Sequence, residues 1–93
     1  MKAALTIAGS DSSGGAGIQA DIKTMSALGV YAESVVTALT AQNTMGVQGV
    51  VATDPDFVFL QMESVFSDIY PNAVKIGMLP TAEVVHAVGQ GLQ

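Results

Sequence analysis

An apolar run, a glycine-rich loop and an amphipathic segment follow one another within the first 28 residues. The run Ala3–Ala8 has the nearly continuous apolar character of a strand that is buried on both faces. Residues 9–17 then combine four glycines and three serines with one aspartate, Asp11. A helix N-terminus leaves backbone N–H groups free, and glycines let a ligand approach the main chain. This order therefore predicts a small-molecule site at the loop, with a turn that simply needs glycines as the alternative.

Hydrophobic spacing predicts the first helix and the segments that follow it. A helix is expected over residues 16–28, where apolar side chains recur at spacings of four, three and three: Ile18, Ile22, Met25 and Leu28. Gly29 stands where a C-terminal cap glycine belongs. We predict one strand over residues 33–40, a polar exit over 41–44, and a further strand over 47–52 that could lie at a sheet edge.

The second half of the chain contains clear helix starts. Asp54 is predicted to cap a helix that has Pro55 in its first position and ends near Asp68. A strand is expected over residues 73–78. Thr81 is predicted to cap a last helix, which carries the apolar side chains Val84, Val85, Val88 and Leu92.

Strands that alternate with helices predict an α/β fold with a mainly parallel sheet. Ligands bind such sheets outside the carboxyl ends of the strands. Loops 9–17, 42–44 and 77–80 should therefore converge on one site.

Composition narrows the classes of function. The formal net charge is −5 with three lysines, no arginine and no cysteine, which argues against nucleic-acid binding and excludes disulfides. No apolar run has the length of a signal peptide or a membrane span, so we expect a soluble, cytoplasmic protein. Because the chain stops at a helix and leaves a sheet edge uncovered, we expect it to be the first part of a larger domain.

Few side chains suggest chemistry. The loop lacks the Gly-Lys-Ser/Thr of a P-loop and the spacing of a dinucleotide fingerprint. Gln42 offers an amide that could pair with a heterocycle, or could simply bond to backbone. Asp21 could reach a ligand or lie in solvent, and Met78 could line a pocket or the core. We expect His86, Glu33 and Glu63 to have no chemical role, with both glutamates in solvent, and we find neither a metal-ligand set nor a nucleophile–histidine pair.

Four segments resemble the N-terminal part of hydroxymethylpyrimidine/phosphomethylpyrimidine kinases, which belong to the ribokinase-like superfamily. They are residues 3–24, 37–44, 64–68 and 75–79. The resemblance implies a three-layer α/β/α fold and a homodimer. It also implies transfer of phosphate from ATP, with Mg²⁺, to 4-amino-5-hydroxymethyl-2-methylpyrimidine and then to its monophosphate in thiamine biosynthesis. Gln42 matches the pyrimidine-contacting glutamine of the family and Asp21 an acidic pocket residue, while Gly9, Ala16 and Met78 match pocket walls.

The chain also departs from the family. Family members are much longer, and the part without a counterpart here would hold the catalytic base and most contacts to ATP and Mg²⁺. We therefore expect residues 1–93 to be the substrate-binding part of one kinase domain, with no catalytic or metal-binding residue and no activity alone. Thr40 and Met45 differ from the residues found in many members. Two alternatives stay open: a pyridoxal kinase of the same superfamily, and a non-catalytic binding or dimerisation module.

Overall fold

The computed structural model describes residues 1–93, which form five strands and three helices. The elements are β1 (Ala3–Ala8), α1 (Gly17–Ala27), β2 (Tyr31–Val36), β3 (Ala38–Asn43), β4 (Gly46–Ala52), α2 (Pro55–Phe66), β5 (Ala73–Ile76) and α3 (Ala82–Gly91). No helix is both long enough and apolar enough to cross a bilayer.

The main sheet is parallel, with β1 between β2 and β5. Thr6 of β1 lies opposite Ser34 on one side and Lys75 on the other. This arrangement confirms the predicted parallel α/β sheet, and it brings the carboxyl ends of all three strands to one edge.

The single strand predicted over residues 33–40 is wrong, because the chain breaks at Thr37. The Thr37 N–H donates to the Ala8 carbonyl (2.9 Å), its carbonyl accepts from the Thr53 N–H (2.9 Å), and its hydroxyl donates to the Met78 carbonyl (2.7 Å). Thr37 is fully buried. Through these hydrogen bonds Thr37, which follows β2, links the C-terminal ends of β1, β4 and β5. After Thr37 the chain leaves the main sheet and forms β3.

β3 and β4 form a separate antiparallel hairpin. The predicted polar exit over residues 41–44 belongs largely to β3, which continues to Asn43. Ala41 lies opposite Gly49 but Gln42 opposite Val47, so the register shifts by one residue at this point. Such a bulge re-aims the side chains beside it.

Helices cover both faces of the main sheet, as the predicted three-layer architecture requires. On one face, β1 and β2 contribute Leu5, Ile7 and Val35 to a buried cluster with four residues of α2 and α3: Val58, Met62, Val84 and Val88. On the other face lies α1, whose Asp21 meets Thr6 of β1. Side chains alternate between the two faces of a strand, so one strand serves both layers.

The helix ends follow the predicted chemistry. Asp54 accepts from the Asp56 N–H (2.9 Å) and Thr81 from the Val84 N–H (3.1 Å). Helix α1 differs from its predicted apolar stripe, because Leu28 is 75% exposed and no residue of α1 is fully buried. Leu28 is the C-cap residue of α1. Gly29 follows with a φ of +74°, and the chain turns away from the helix there.

Candidate functional site

A cavity of about 270 Å³ opens at the carboxyl ends of β1 and β5, between loop 9–17 and the β3–β4 hairpin. Residues from all three predicted loops or their flanks line it, which confirms that these segments converge. Asn43 and Thr44 are not among the lining residues. Those that are include Gly9, Asp11, Ala16, Thr40, Gln42, Lys75 and Met78.

The glycine-rich loop folds around its own carboxylate. Asp11 is buried and accepts hydrogen bonds from the Ser13 N–H (2.8 Å), the Ser13 hydroxyl (2.7 Å) and the Gly15 N–H (3.0 Å). The Ser13 hydroxyl and these backbone N–H groups outweigh burial and hold the pKa of the Asp11 carboxyl below its ordinary value. The N–H groups of Ser13 and Gly15 are thus engaged by Asp11 rather than free for an external anion. Sequence reasoning missed this role, although an aspartate ahead of Ser-Ser-Gly-Gly is a known turn signal.

Two glycines allow this loop to pack closely at the start of α1 and at the cavity wall. Gly17 has a φ of +59°, and a Cβ there would overlap the Gly9 carbonyl oxygen, which accepts from the Ile18 N–H (3.0 Å). A Cβ at Gly9 would overlap the Cε methyl of Met78. The predicted wall residues Gly9, Ala16 and Met78 all line the cavity.

Serine hydroxyls join the loop to β3 in an alternating pattern. The Ser10 N–H donates to the Ala38 carbonyl (2.9 Å), and the Ser10 hydroxyl accepts from the Thr40 N–H (3.2 Å). Two residues further on, the Ser12 hydroxyl accepts from the Gln42 N–H (2.7 Å) and donates to the Gln42 carbonyl (2.6 Å). The loop thereby takes the place of a neighbouring strand, and alternate β3 residues, Thr40 and Gln42, line the cavity.

The side-chain amide of Gln42 is available to a ligand. Its Oε1 accepts a hydrogen bond from the Thr40 hydroxyl (3.3 Å) and keeps a second lone pair, and its Nε2 makes no hydrogen bond within the chain. The alternative of a glutamine side chain bonded to backbone is therefore wrong for this structure. Gln42 presents both an acceptor and a donor at the cavity.

Asp21 lies behind the cavity instead of lining it. Its Oδ2 accepts from the buried Thr6 hydroxyl (2.6 Å) and from the Lys75 Nζ (2.9 Å), while Lys75 itself lines the cavity. Burial raises the pKa of the Asp21 carboxyl, but the hydrogen bonds from Thr6 and Lys75 outweigh it, so the pKa falls below its ordinary value. Asp21 thus contacts the cavity through Lys75, a residue that sequence reasoning missed. The available signal was a lysine within an otherwise apolar strand.

The remaining titratable candidates lie elsewhere. His86 is exposed on α3, and Glu63 is exposed on α2. Glu33 contradicts its predicted exposure, because its Oε1 is buried with no hydrogen-bond partner. Burial, with a contribution from the Asp68 charge, raises the pKa of the Glu33 carboxyl.

The arrangement suits a small ligand better than a metal-bound triphosphate. No group of three carboxylate or histidine side chains comes together that could hold a metal ion. Two loop amides, those of Ser13 and Gly15, already bind Asp11, and Lys75 is paired with Asp21. These residues do not form a site for Mg²⁺, and both Gln42 and Met78 line the cavity.

Comparison with known proteins places this geometry in a family. Residues 11–93 match the family model of phosphomethylpyrimidine kinase. The chain is 62% identical over 90 residues to the hydroxymethylpyrimidine/phosphomethylpyrimidine kinase of Escherichia coli K12, covering 97% of this chain and 34% of that protein. The chain thus spans about a third of the length of such curated relatives.

Solved structures agree with the sequence matches. The crystal structure of a phosphomethylpyrimidine kinase from Clostridium difficile 630 superposes with a TM-score of 0.96 at 54% identity, covering 99% of this chain and 40% of that one. A pyridoxal kinase from Bacillus subtilis, solved as an ADP complex, superposes with a TM-score of 0.89 at 39% identity, covering 99% of this chain and 36% of that one. The chain therefore belongs to the phosphomethylpyrimidine kinase family and has the ribokinase-like α/β fold that the family resemblance implied.

Proposed function

We propose that residues 1–93 form the pyrimidine-binding part of a kinase domain. The complete enzyme would transfer phosphate from ATP to the hydroxymethyl group of 4-amino-5-hydroxymethyl-2-methylpyrimidine, and then to the monophosphate, in thiamine biosynthesis. The observation that carries this proposal is the Gln42 amide, which faces the cavity with its Nε2 unpaired.

The chemistry of the cavity supports an aminopyrimidine. In a 4-aminopyrimidine an N–H donor lies beside a ring-nitrogen acceptor, and the Oε1 and Nε2 of Gln42 offer the complementary pair. Gly9, Ala16 and Met78 supply small or apolar walls. The volume of about 270 Å³ lies just below the range of about 300 to 1,000 Å³ that is usual for ligand pockets, and so suits a single ring.

The phosphate donor needs groups that this segment does not supply. Phosphoryl transfer depends on positioning and on charge stabilisation around the transferring group. We propose that ATP and Mg²⁺ are held by residues outside 1–93, that no catalytic residue lies within this segment, and that the segment alone is inactive. We further propose that the complete enzyme is a cytoplasmic homodimer, as the family resemblance implies.

We propose a pyrimidine substrate rather than pyridoxal because the relatives named for pyrimidine phosphorylation have the higher sequence identity with this chain. The identity is 62% with the Escherichia coli enzyme and 39% with the Bacillus subtilis pyridoxal kinase. The other alternative is a non-catalytic binding module. A protein of that kind would bind the pyrimidine but would not transfer phosphate to it from ATP.

Isothermal titration of the 93-residue chain tests the proposal. We expect 4-amino-5-hydroxymethyl-2-methylpyrimidine to bind more tightly than pyridoxal, and Gln42→Ala to weaken the binding about tenfold, since both hydrogen bonds of the amide are lost. Gln90→Ala, an exposed glutamine on α3, is the matched control and should leave the dissociation constant unchanged. Binding that is insensitive to Gln42→Ala would contradict the assignment, and tighter binding of pyridoxal would favour the alternative kinase.

A further inference from the structure

The hydroxyl of Ser12 is bonded to both backbone groups of a single residue, Gln42. Its Oγ accepts from the Gln42 N–H at 2.7 Å and donates to the Gln42 carbonyl at 2.6 Å. One hydroxyl thus satisfies a donor and an acceptor that a neighbouring strand would otherwise satisfy. The serine lies 30 residues before the glutamine, so the contact joins the loop to β3 directly.

On the opposite edge of β3, Gln42 lies opposite Val47, directly beside a bulge. The register shift between Ala41 and Gln42 leaves Gln48 of β4 without an opposite residue. All residues of β4 are exposed, and the hairpin has only two strands, which by itself is a marginal structure. The exposed hairpin strand on one edge and the Ser12 hydroxyl on the other together set the backbone orientation of Gln42.

The two hydrogen bonds matter more for orientation than for stability. Ser12 is exposed, so water can replace its hydroxyl as a partner for the Gln42 backbone. Water cannot hold that backbone in one direction relative to the loop. Loss of the hydroxyl should therefore leave the fold largely intact while it releases the Gln42 amide from its position at the cavity.

We propose that Ser12 is a positioning residue for pyrimidine recognition: its hydroxyl fixes the backbone from which the Gln42 amide reads the ring. This inference rests on the proposed function, because it assigns Ser12 a role only through Gln42. It also gives the glycine-rich loop a second task besides forming a cavity wall. The requirement is for a hydroxyl, so threonine should substitute and alanine should not.

A double-mutant cycle on the 93-residue chain tests this role. The dissociation constant of 4-amino-5-hydroxymethyl-2-methylpyrimidine is measured by titration for the parent chain, Ser12→Ala, Gln42→Ala and the double variant. We expect Ser12→Ala to weaken binding about fivefold to tenfold in the parent, and less than about twofold when Gln42 is already alanine. Ser12→Thr should restore binding, and Ser26→Ala, an exposed serine on α1, should change nothing.

The outcomes separate the two proposals. A parent chain that does not bind the pyrimidine overturns the proposed function, and the role of Ser12 with it. Binding by the parent, with an equal effect of Ser12→Ala in both backgrounds, overturns the Ser12 inference alone. Far-UV circular dichroism checks that each variant folds, and Ser12→Cys replaces Ser12→Ala in the cycle if the alanine variant does not. The backbone N–H proton of Gln42 should exchange with solvent faster in Ser12→Ala than in the parent chain. Unchanged exchange would also contradict the inference.

Discussion

Replacing Gly17 with alanine tests whether the loop needs glycine for its backbone angle or for space. Gly17 has a φ of +59°, and its absent Cβ would overlap the Gly9 carbonyl oxygen. Gly29 offers a matched control, since its φ is +74° and a Cβ there meets nothing within 4 Å. Both substitutions place alanine at a left-handed φ, and only Gly17→Ala adds a collision.

The structure sets the size of the difference. A left-handed backbone costs an L-residue about 1 to 2 kcal/mol, of which alanine regains about 0.4 to 1 kcal/mol by restricting the unfolded chain. Gly29→Ala should therefore destabilise by about 1 kcal/mol. At Gly17 the Gly9 carbonyl must also move, which strains the loop by about 1 to 3 kcal/mol and weakens its hydrogen bond to Ile18. We expect a total of about 2 to 4 kcal/mol for Gly17→Ala.

Thermal and urea unfolding of the 93-residue chain, followed by circular dichroism, measures both variants. In a domain of this size each kcal/mol lowers Tm by about 4 to 8 °C, so the two variants should be clearly separated. Pyrimidine titration adds a second measurement: Gly17→Ala displaces the cavity wall at Gly9 and should weaken binding, whereas Gly29→Ala should not. Equal losses of stability in the two variants would refute the argument from space.

Three further predictions concern charge and capping. Asp21→Asn should lower the free energy of unfolding by about 1 kcal/mol near neutral pH. Because the folded pKa of Asp21 lies below its unfolded value, this difference should shrink as the pH falls below about 4, and a pH-independent difference would contradict it. Glu33→Gln should instead stabilise by about 1 kcal/mol near neutral pH, since the pKa of Glu33 is raised by burial and by Asp68, and the gain should disappear below about pH 4. Thr81→Ala should cost about 1 kcal/mol in urea unfolding through the lost cap of α3, and no loss would mean that the cap is not formed in solution.

Local sequence signals predicted most of the fold. The caps at Asp54 and Thr81 and the glycine at Gly29 lie within a few residues of the groups they serve. The break at Thr37 could not be predicted this way, because residues 33–40 carry an uninterrupted strand composition. The break depends on partners at Ala8, Thr53 and Met78, which come near Thr37 only in the folded chain.

The residues of the candidate site could likewise be predicted only in part from the sequence. The rule that ligands bind at the carboxyl ends of parallel strands, with the family resemblance, predicted Gln42, Gly9, Ala16 and Met78, and these residues line one cavity. Their role in binding a pyrimidine stays a prediction. The same reasoning placed Asp21 at the cavity, but pairing with a residue 54 positions away holds it behind Lys75.

The sequence by itself determined the three helices with the caps of α2 and α3, the parallel α/β sheet, and the edge of the sheet at which a ligand would bind. These features depend on contacts within a turn or on a general rule of parallel sheets. The tertiary structure decided how the site is built: Asp11 fills the loop, Lys75 joins the cavity, and Ser12 holds Gln42. The contacts of Lys75 and Ser12 join groups far apart in the chain, so their geometry exists only once β1, β5 and the hairpin have come together around the glycine-rich loop.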